Sequence, residues 1–324
     1  MLETLPPGEV SGNFPAAPAL QEGVVSVRGY RMAYVVGGAG EPIVFLHGLG
    51  HASSVWSGVL PHLARRFRVF AVDMLGCGRS DKPRIDYSLG ALAGYTRSFM
   101  DAVGIERAHL VGHSLGGGVA MHATWHYPER VNRLALVSSG GLGRELRPLL
   151  RLATLPGASL ALACSTSPAW SWVVVRVRFR KLAARLAREN IGMWARLGRA
   201  DDRRVFLHML RSVCNITGQT VSAVERLPEV KHPVLLIWGE RDTTIPPAHA
   251  RRAAALIRNC QLQILPGCKH YPPLEQPEVV APLLEQFLLA PAGLSAAVGV
   301  AGLERADHRK TLMDEGGELA TGLA

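Results

Sequence analysis

A serine between glycines is the residue of this chain best suited to covalent chemistry. The segment GHSLG (residues 112–116) has Ser114 at its centre, follows an apolar run and precedes a segment with helical character. Glycines permit a sharp turn from strand to helix, and a serine held on such a turn projects its hydroxyl above the sheet. G-x-S-x-G also occurs by chance in glycine-rich chains, so the surrounding strand and helix carry much of the prediction.

An aspartate and a histidine follow two later apolar runs. Asp242 comes after the run 234–238, and His270 comes after the run 262–265. Taken singly, a turn aspartate is common and a lone histidine is more often structural than catalytic. In a parallel sheet, however, sites form where the strands end, so these side chains are expected at one edge together with Ser114. The chain order Ser, Asp, His is the one expected for a triad on a strand–helix fold.

These three residue types suit acyl transfer. His270 would take the proton of the Ser114 hydroxyl as the hydroxyl attacks a carbonyl, while Asp242 would orient the imidazole and stabilise its charged form. Such a cycle needs no metal and no organic cofactor. His122 and His126 have a spacing that can bind a metal, but no third ligand is evident, so we expect a structural role for both.

Backbone donors for an oxyanion are expected on two loops. HGLG (residues 47–50) follows the apolar run 43–46, and Leu49 is expected to direct its N–H at the nucleophile. Leu115, directly after the serine, would supply the second N–H. The side chain of His47 is expected to brace its loop. The same bracing role is expected of four polar residues in a later loop, Asp73, Arg79, Ser80 and Asp81.

Short apolar runs alternate with helical segments over most of the chain, which predicts a mostly parallel sheet with helices on both faces. The predicted strands are 23–27, 31–36, 43–46, 68–72, 109–111, 134–137, 234–238 and 262–265. The predicted helices are 54–66, 89–103, 248–257 and 279–289. Residues 1–20 and 291–324 are predicted to be a flexible leader and a flexible tail.

The alternation stops between about residues 140 and 230, where the chain reads as helices and loops without a convincing strand. We therefore predict an insertion, 141–230, in a core formed by 21–140 and 231–290. Residues 152–175 of the insertion are uncharged and are expected to line an apolar pocket or to rest against lipid. The apolar residues of interest there are Leu160, Leu162, Trp170, Trp172 and 173–175. A basic run follows, formed by Arg176, Arg178, Arg180, Lys181, Arg185 and Arg188, and an ordinary solvated helix is the alternative for it.

Charge and cysteine content exclude several classes of function. The formal net charge is +10, yet apart from the basic run the cationic residues are scattered and accompany no nucleic-acid motif, so no nucleic-acid partner is expected. The five cysteines include no CxxC pair, which argues against a zinc site and a disulfide framework. Reduced thiols and an N-terminus without signal-peptide character predict a cytoplasmic protein. Peripheral membrane contact through the insertion stays open, as does the oligomeric state.

Five segments together resemble the α/β-hydrolase superfamily. They are HGLG (47–50), DMLGCGRSDKP (73–83), GHSLGGG (112–118), WGERDTTIP (238–246) and GCKHYPPLEQPE (267–278). The resemblance covers about residues 24–289 and implies an α/β-hydrolase fold in which the insertion forms a helical cap. It also implies Ser114 as nucleophile, Asp242 as acid and His270 as base. Lys269 stands where many relatives have glycine, and Cys77 where a bulkier residue or histidine is common.

The leading functional prediction is a carboxylic-ester hydrolase acting on a small apolar ester or acyl-chain substrate, because the serine turn is combined with an apolar cap. A C–C bond hydrolase of ring-cleavage products is the alternative, although many of those relatives carry Asn where His113 stands. Epoxide hydrolases and haloalkane dehalogenases use an aspartate at the position of Ser114, which disfavours them. A non-catalytic ligand-binding protein on the same fold is the third reading.

Overall fold

A computed structural model describes residues 18–166 and 196–291. Apart from residues 18–20 and 291, the predicted leader and tail lie outside the described residues. So do the basic run of the insertion and the apolar residues Trp170, Trp172 and 173–175. Within the described ranges, no helix combines the length and the apolar character that crossing a bilayer requires.

The strands, in chain order, are β1 (Gln21–Val27), β2 (Tyr30–Gly37), β3 (Pro42–Leu46), β4 (Arg68–Val72), β5 (Ala108–His113), β6 (Val131–Val137), β7 (Cys214–Asn215), β8 (Gly218–Gln219), β9 (Val234–Gly239) and β10 (Cys260–Leu265). Eight of them form one sheet in the order β1-β2-β4-β3-β5-β6-β9-β10. β2 pairs antiparallel with β1 and β4, and the remaining pairs of this sheet are parallel. The mostly parallel sheet predicted from the sequence is therefore confirmed.

The central strands are apolar on both faces because each face packs on a separate core. In β3, Ile43 and Phe45 enter one core, in which Phe45 packs against Trp56 with ring centroids 5.1 Å apart. Val44 and Leu46, the alternate residues, enter the other core. This alternation follows from the two-residue period of a strand, and it explains why the strand reads as a continuous apolar run.

Helices cover both faces of the sheet. They are α1 (Leu60–Leu63), α2 (Leu89–Ala102), α3 (Leu115–His126), α4 (Pro148–Leu152), α5 (Ala158–Ser165), α6 (Ala200–Val213), α7 (Ala248–Leu256), α8 (Pro272–Glu275) and α9 (Pro277–Leu289). α2, α3 and α7 pack on the core that contains Val44, while α1 and α9 pack on the core that contains Ile43. The helix predicted over 54–66 is wrong as a single element. A 3-10 helix at Ser53–Trp56 precedes α1, which has Pro61 in its first turn.

The predicted insertion, 141–230, is called the cap below, and its described part contains α4, α5, α6, β7 and β8. The expectation that it has no strand is wrong in one place, because β7 and β8 form a two-stranded antiparallel hairpin. In its turn, Asn215 Oδ1 accepts a hydrogen bond from Thr217 N at 2.8 Å, and Gly218 has φ of +130°. Glycine adopts such a conformation without a steric penalty. The cap also has a small core of its own, formed by Ala158, Leu197, Phe206, Leu207, Leu210 and Cys214.

Candidate active site

Ser114 lies on the turn between β5 and α3, with φ of 53° and ψ of −116°. A positive φ is unusual for a residue other than glycine, and it marks a strained turn. The surrounding glycines are required by close packing. A Cβ atom at Gly112 would collide with the carbonyl oxygen of Gly116, and a Cβ atom at Gly116 would collide with that of Leu46. The turn therefore packs directly on β3 and presents the hydroxyl at the carboxyl end of the sheet.

His270 lies between the other two residues predicted for the site. Its Nε2 atom is 3.2 Å from Ser114 Oγ, and its Nδ1 atom is 2.8 Å from Asp242 Oδ2. With the proton on Nδ1, the imidazole donates to the carboxylate and leaves Nε2 to accept from the serine hydroxyl. The imidazole and the carboxylate are both buried, so water competes little for these bonds. The structure thus brings together three side chains that are far apart in the sequence.

The carboxylate of Asp242 is oriented by its own loop. The backbone N–H groups of Thr244 and Ile245 donate to Oδ1 at 2.8 and 2.9 Å. These two bonds occupy Oδ1 and turn Oδ2 toward His270. The loop after β9 therefore fixes which carboxylate oxygen meets the imidazole.

The loops that carry Asp242 and His270 contact each other through their backbones. Arg241 N donates to Cys268 O at 2.8 Å. A Cβ atom at Gly239 would collide with the carbonyl oxygen of Lys269, so only glycine permits this approach. Glycine at the end of β9 thus lets the two loops pack together through their backbones, which fixes their relative position.

His113, the residue before the serine, contacts the loop that carries His270. Its Nε2 atom is 2.8 Å from His270 O, and because a carbonyl only accepts, this nitrogen carries the proton. Burial and the neighbouring His270 lower the pKa of His113 well below its ordinary value. A neutral His113 therefore links the nucleophile turn to the histidine loop.

The two predicted oxyanion donors lie beside the nucleophile. Leu115 is the first residue of α3, where the helix leaves its N–H groups without helical partners and its dipole favours negative charge. Leu49 follows β3, and both leucines line the same pocket as Ser114. In the part of the chain that the structure describes, neither N–H donates to a protein acceptor. Their role toward an oxyanion stays a prediction.

His47 braces its loop, as predicted. Its Nδ1 atom donates to Gly48 O at 2.8 Å, and its Nε2 atom accepts from Met74 N at 3.1 Å. Burial lowers the pKa of His47, which agrees with a neutral ring that donates through one nitrogen and accepts through the other.

The loop after β4 is braced by the polar residues predicted to do so. Asp73 accepts from Ser53 N at 2.7 Å and from Arg79 N at 2.9 Å. Burial alone would raise the pKa of Asp73, but these hydrogen bonds hold it below its ordinary value. The side chains of Ser80 and Asp81 each accept a backbone N–H of β2 at 2.8 Å.

An apolar cavity of about 90 Å³ opens beside Ser114. Its apolar side chains come from the core and the cap, namely Leu49, Leu89, Leu115, Leu146, Leu150, Phe206, Leu210, Val213, Val221 and Ile245. Three of the described lining residues are titratable, namely His270, Tyr271 and Cys214. Gln219 also lines the cavity, but its Oε1 accepts from Gly141 N at 2.7 Å and its Nε2 donates to Glu145 O at 3.2 Å.

Of the cap residues singled out in the sequence, the two that the structure describes, Leu160 and Leu162, do not line this cavity. Leu160 is 70% exposed, and Leu162 packs on the core of the cap. Leu146, Phe206 and Leu210 line the cavity in their place. The spacing of four between Phe206 and Leu210 on α6 is a helical signal that could have indicated an inward face.

The rings of His122 and His126 lie near each other, with centroids 5.8 Å apart and planes tilted by 40°. Within residues 18–166 and 196–291, no group of three or more metal-ligating side chains is close enough to hold an ion. The pKa of His122 is lowered mainly by burial, with further contributions from the nearby His126 and Arg226.

Known proteins match this arrangement over most of the chain. Residues 43–283 match the model of the alpha/beta hydrolase family. The chain belongs to this family. Its predicted superfamily and fold class, a mostly parallel central sheet flanked by helices, are thereby confirmed. The family is one of hydrolases, so the coarse assignment as a hydrolase holds as well.

Three similar proteins place this alpha/beta hydrolase among its relatives. An uncharacterized protein of Mycobacterium tuberculosis is 39% identical over 289 residues, covering 84% of this chain and 82% of that protein. A 2-hydroxy-6-oxo-6-phenylhexa-2,4-dienoate hydrolase of Burkholderia cepacia is 29% identical and covers 78% of this chain and 88% of its own length. The crystal structure of a bacterial membrane phospholipase A superposes with a TM-score of 0.66 at 26% identity, covering 83% of this chain and 86% of that chain.

Proposed function

We propose that this protein is a serine hydrolase that cleaves carboxylic esters of small apolar substrates through an acyl-enzyme on Ser114. The observation that supports it most is the chain of hydrogen bonds from Ser114 through His270 to Asp242, opening into an apolar cavity. Such a cavity suits an acyl chain or another apolar group attached to the ester carbonyl.

Each step of the proposed reaction uses a residue of the site. His270 Nε2 takes the proton as Ser114 Oγ attacks the carbonyl carbon, and Asp242 stabilises the resulting imidazolium. The N–H groups of Leu49 and Leu115 stabilise the oxyanion. The imidazolium then protonates the leaving alcohol. Water attacks the acyl-enzyme with the same histidine as base, which releases the acid and restores the serine.

A C–C bond hydrolase is the second candidate, because the Burkholderia cepacia relative is named for a dienoate substrate. A dienoate carries a carboxylate, and such a group is usually bound by a cation. No Lys or Arg is among the described residues that line the cavity, which favours the ester. The loss of the yellow dienol chromophore in the presence of enzyme would favour the second candidate.

The direct test compares wild type with Ser114→Ala on 4-nitrophenyl esters from acetate to octanoate. We expect kcat to fall by about 10⁴-fold or more in the variant, because the nucleophile is removed. Equal rates for the two proteins would refute the proposal. A variant that unfolds at the same temperature as wild type shows that the loss is chemical.

The non-catalytic reading is tested separately. A fluorophosphonate reacts with an activated serine, so we expect labelling of wild type under native conditions and none of Ser114→Ala. A wild-type protein that stays unlabelled while it binds apolar ligands would support a binding protein in place of an enzyme.

A further inference from the structure

The cap exposes five large apolar side chains to solvent. Leu149, Leu152, Leu155, Leu160 and Ile216 are 56%, 55%, 41%, 70% and 42% exposed. We call this set the cap surface. A single exposed leucine is ordinary, but several close together usually mark a surface that meets a partner or a membrane.

The members of the cap surface are neighbours. Leu149, Leu152 and Leu155 follow one another at intervals of three residues, and Leu155 N donates to Leu152 O at 3.1 Å. Arg151 Nε donates to Ile216 O at 2.7 Å, which ties α4 to the turn of the hairpin. Leu149, Leu152, Leu155 and Ile216 therefore lie on adjoining turns of the cap. Leu160 follows on α5, whose first residue, Ala158, donates its N–H to Leu155 O at 3.3 Å.

The segment that carries these leucines also has inward-facing apolar residues, which contact the cavity or the core of the cap. Leu146 and Leu150 line the catalytic cavity, and Ala153 and Leu162 pack on the core of the cap. The outward leucines have no such role in the described part of the chain. Because inward and outward residues alternate along one short segment, the cap surface lies on the outer side of the segment that lines the cavity.

The charge around the cap surface is positive. Arg144 and Arg147 are exposed at its edge, and Arg151 is the sole charged residue in 148–166. Residues 144–166 contain these three arginines and one acidic residue, Glu145, whose carboxylate is 2.6 Å from His249 Nε2. Exposed leucines with an arginine border match the interface of an anionic bilayer, where apolar side chains enter the acyl region and guanidinium groups meet phosphates.

We propose that the cap surface docks on an anionic lipid bilayer and so brings the cavity-lining segment of the cap close to the membrane. A second copy is the alternative occupant, and it would bring the arginines of both copies into one interface. The docking is independent of the bond that the enzyme cleaves, so it stands whether or not the substrate is an ester.

The test is co-sedimentation of the full chain with vesicles of phosphatidylcholine alone and of phosphatidylcholine with phosphatidylglycerol. We expect wild type to bind the anionic vesicles far better than the neutral ones. The double variant Leu152→Ser/Leu160→Ser should bind at least about tenfold more weakly, because less apolar area enters the bilayer. The matched control, Leu256→Ser/Leu289→Ser, changes two exposed leucines outside the cap, at the ends of α7 and α9. It should bind as wild type does.

The charge is tested with Arg144→Gln/Arg147→Gln. Its binding to anionic vesicles should fall about 30-fold, since each of the two surface arginines contributes about 1 kcal/mol of attraction. Hydrolysis of a water-soluble ester and the thermal unfolding temperature, measured on every variant, separate a failure to dock from a failure to fold or to catalyse.

Three results would overturn the proposal. The first is a wild type that does not sediment with anionic vesicles, or leucine variants of cap and core that bind equally. The second is a dimer in solution that Leu152→Ser/Leu160→Ser dissociates, which would assign the cap surface to a second copy. The third is a wild type that does not bind vesicles, combined with a lower unfolding temperature for Leu152→Ser/Leu160→Ser. That combination would mean that another part of the chain packs on these leucines and is stabilised by them.

Discussion

The sheet and the cap treat their apolar residues differently. In β3, the four residues from Ile43 to Leu46 are completely buried. In α4, Leu149 and Leu152 are more than half exposed, while Leu150 of the same helix lines the cavity. Both faces of the central sheet are therefore buried, whereas the short helix of the cap has some leucines facing the cavity and others facing solvent.

This difference separates two tasks. The strand ends and their loops hold Ser114, Asp242 and His270 at hydrogen-bond distances, which requires a rigid support. The cap provides about half of the cavity wall, including Leu146, Leu150 and Phe206, so we expect it to influence which substrates fit. Changes in the core should therefore alter the rate of the chemical step or the stability of the whole fold, and changes in the cap should alter selectivity.

The largest effect is expected from Asp242→Asn. An amide cannot stabilise the imidazolium and favours the wrong tautomer of His270, so kcat on 4-nitrophenyl acetate should fall about 10⁴-fold. The matched control is Asp202→Asn in the cap, which removes a carboxylate 3.6 Å from Lys82 Nζ. The control should keep kcat within roughly twofold of wild type, because this ion pair does not touch the reacting atoms. An equal loss in both variants would break the distinction between core and cap.

The second prediction compares the same substitution in the two regions. Gly116→Ala places a methyl group against the carbonyl oxygen of Leu46 and should lower the free energy of unfolding by about 3 kcal/mol. Gly157→Ala in the cap meets open space and carries only the cost of its φ of +83°, about 1 kcal/mol. Urea denaturation of both variants measures the two values. A larger loss for Gly157→Ala would contradict the rigid packing of the nucleophile turn.

The third prediction uses two neighbouring leucines of α4. Leu150→Ala removes part of the cavity wall and should reduce kcat/KM for octanoate roughly tenfold relative to acetate. Leu149→Ala, its outward neighbour, should leave this ratio unchanged on soluble esters. Steady-state kinetics across the ester series decides between them, and a change of the same size in both would mean that α4 does not select the acyl chain.

The smallest effect concerns pH and stability. Burial, together with the nearby positive charge of Arg196, lowers the pKa of His51 from 6.5 to about 3. The unfolded chain therefore takes up a proton below pH 6.5 that the folded protein takes up only near pH 3, so stability falls as the pH drops through this window. One such histidine contributes about 1 kcal/mol of loss between pH 6.5 and 5.5. His51→Gln should reduce the pH dependence of the unfolding free energy by this amount, and an unchanged dependence would show that His51 is protonated in the fold.

Much of the core could be predicted because its signals are local. β4 has the bounds predicted from the sequence, and Ser114, Asp242 and His270 each follow an apolar run that a strand end explains. The helix predicted over 54–66 was wrong because periodicity alone ignores Pro61. Two-residue strands such as β7 are too short to show a period of two.

The cavity wall could not be predicted in the same way. Leu146 and Phe206 line the same cavity although they are far apart in the sequence and follow no regular interval. A helical period shows that α6 has an apolar face, but it does not show which neighbour covers that face. The absence of charge in 152–175 suggested that this stretch lines the pocket. Of its two described candidates, however, Leu160 faces solvent and Leu162 packs on the core of the cap.

The close approach of Gly239 to Lys269 has a consequence for how the enzyme prepares its nucleophile. Because the loops after β9 and β10 are joined through their backbones, the imidazole and the carboxylate behave as one preassembled unit. What remains adjustable is the rotation of the Ser114 hydroxyl about a single side-chain bond. Substrate binding then has one torsion angle to set, and little reorganisation precedes proton transfer.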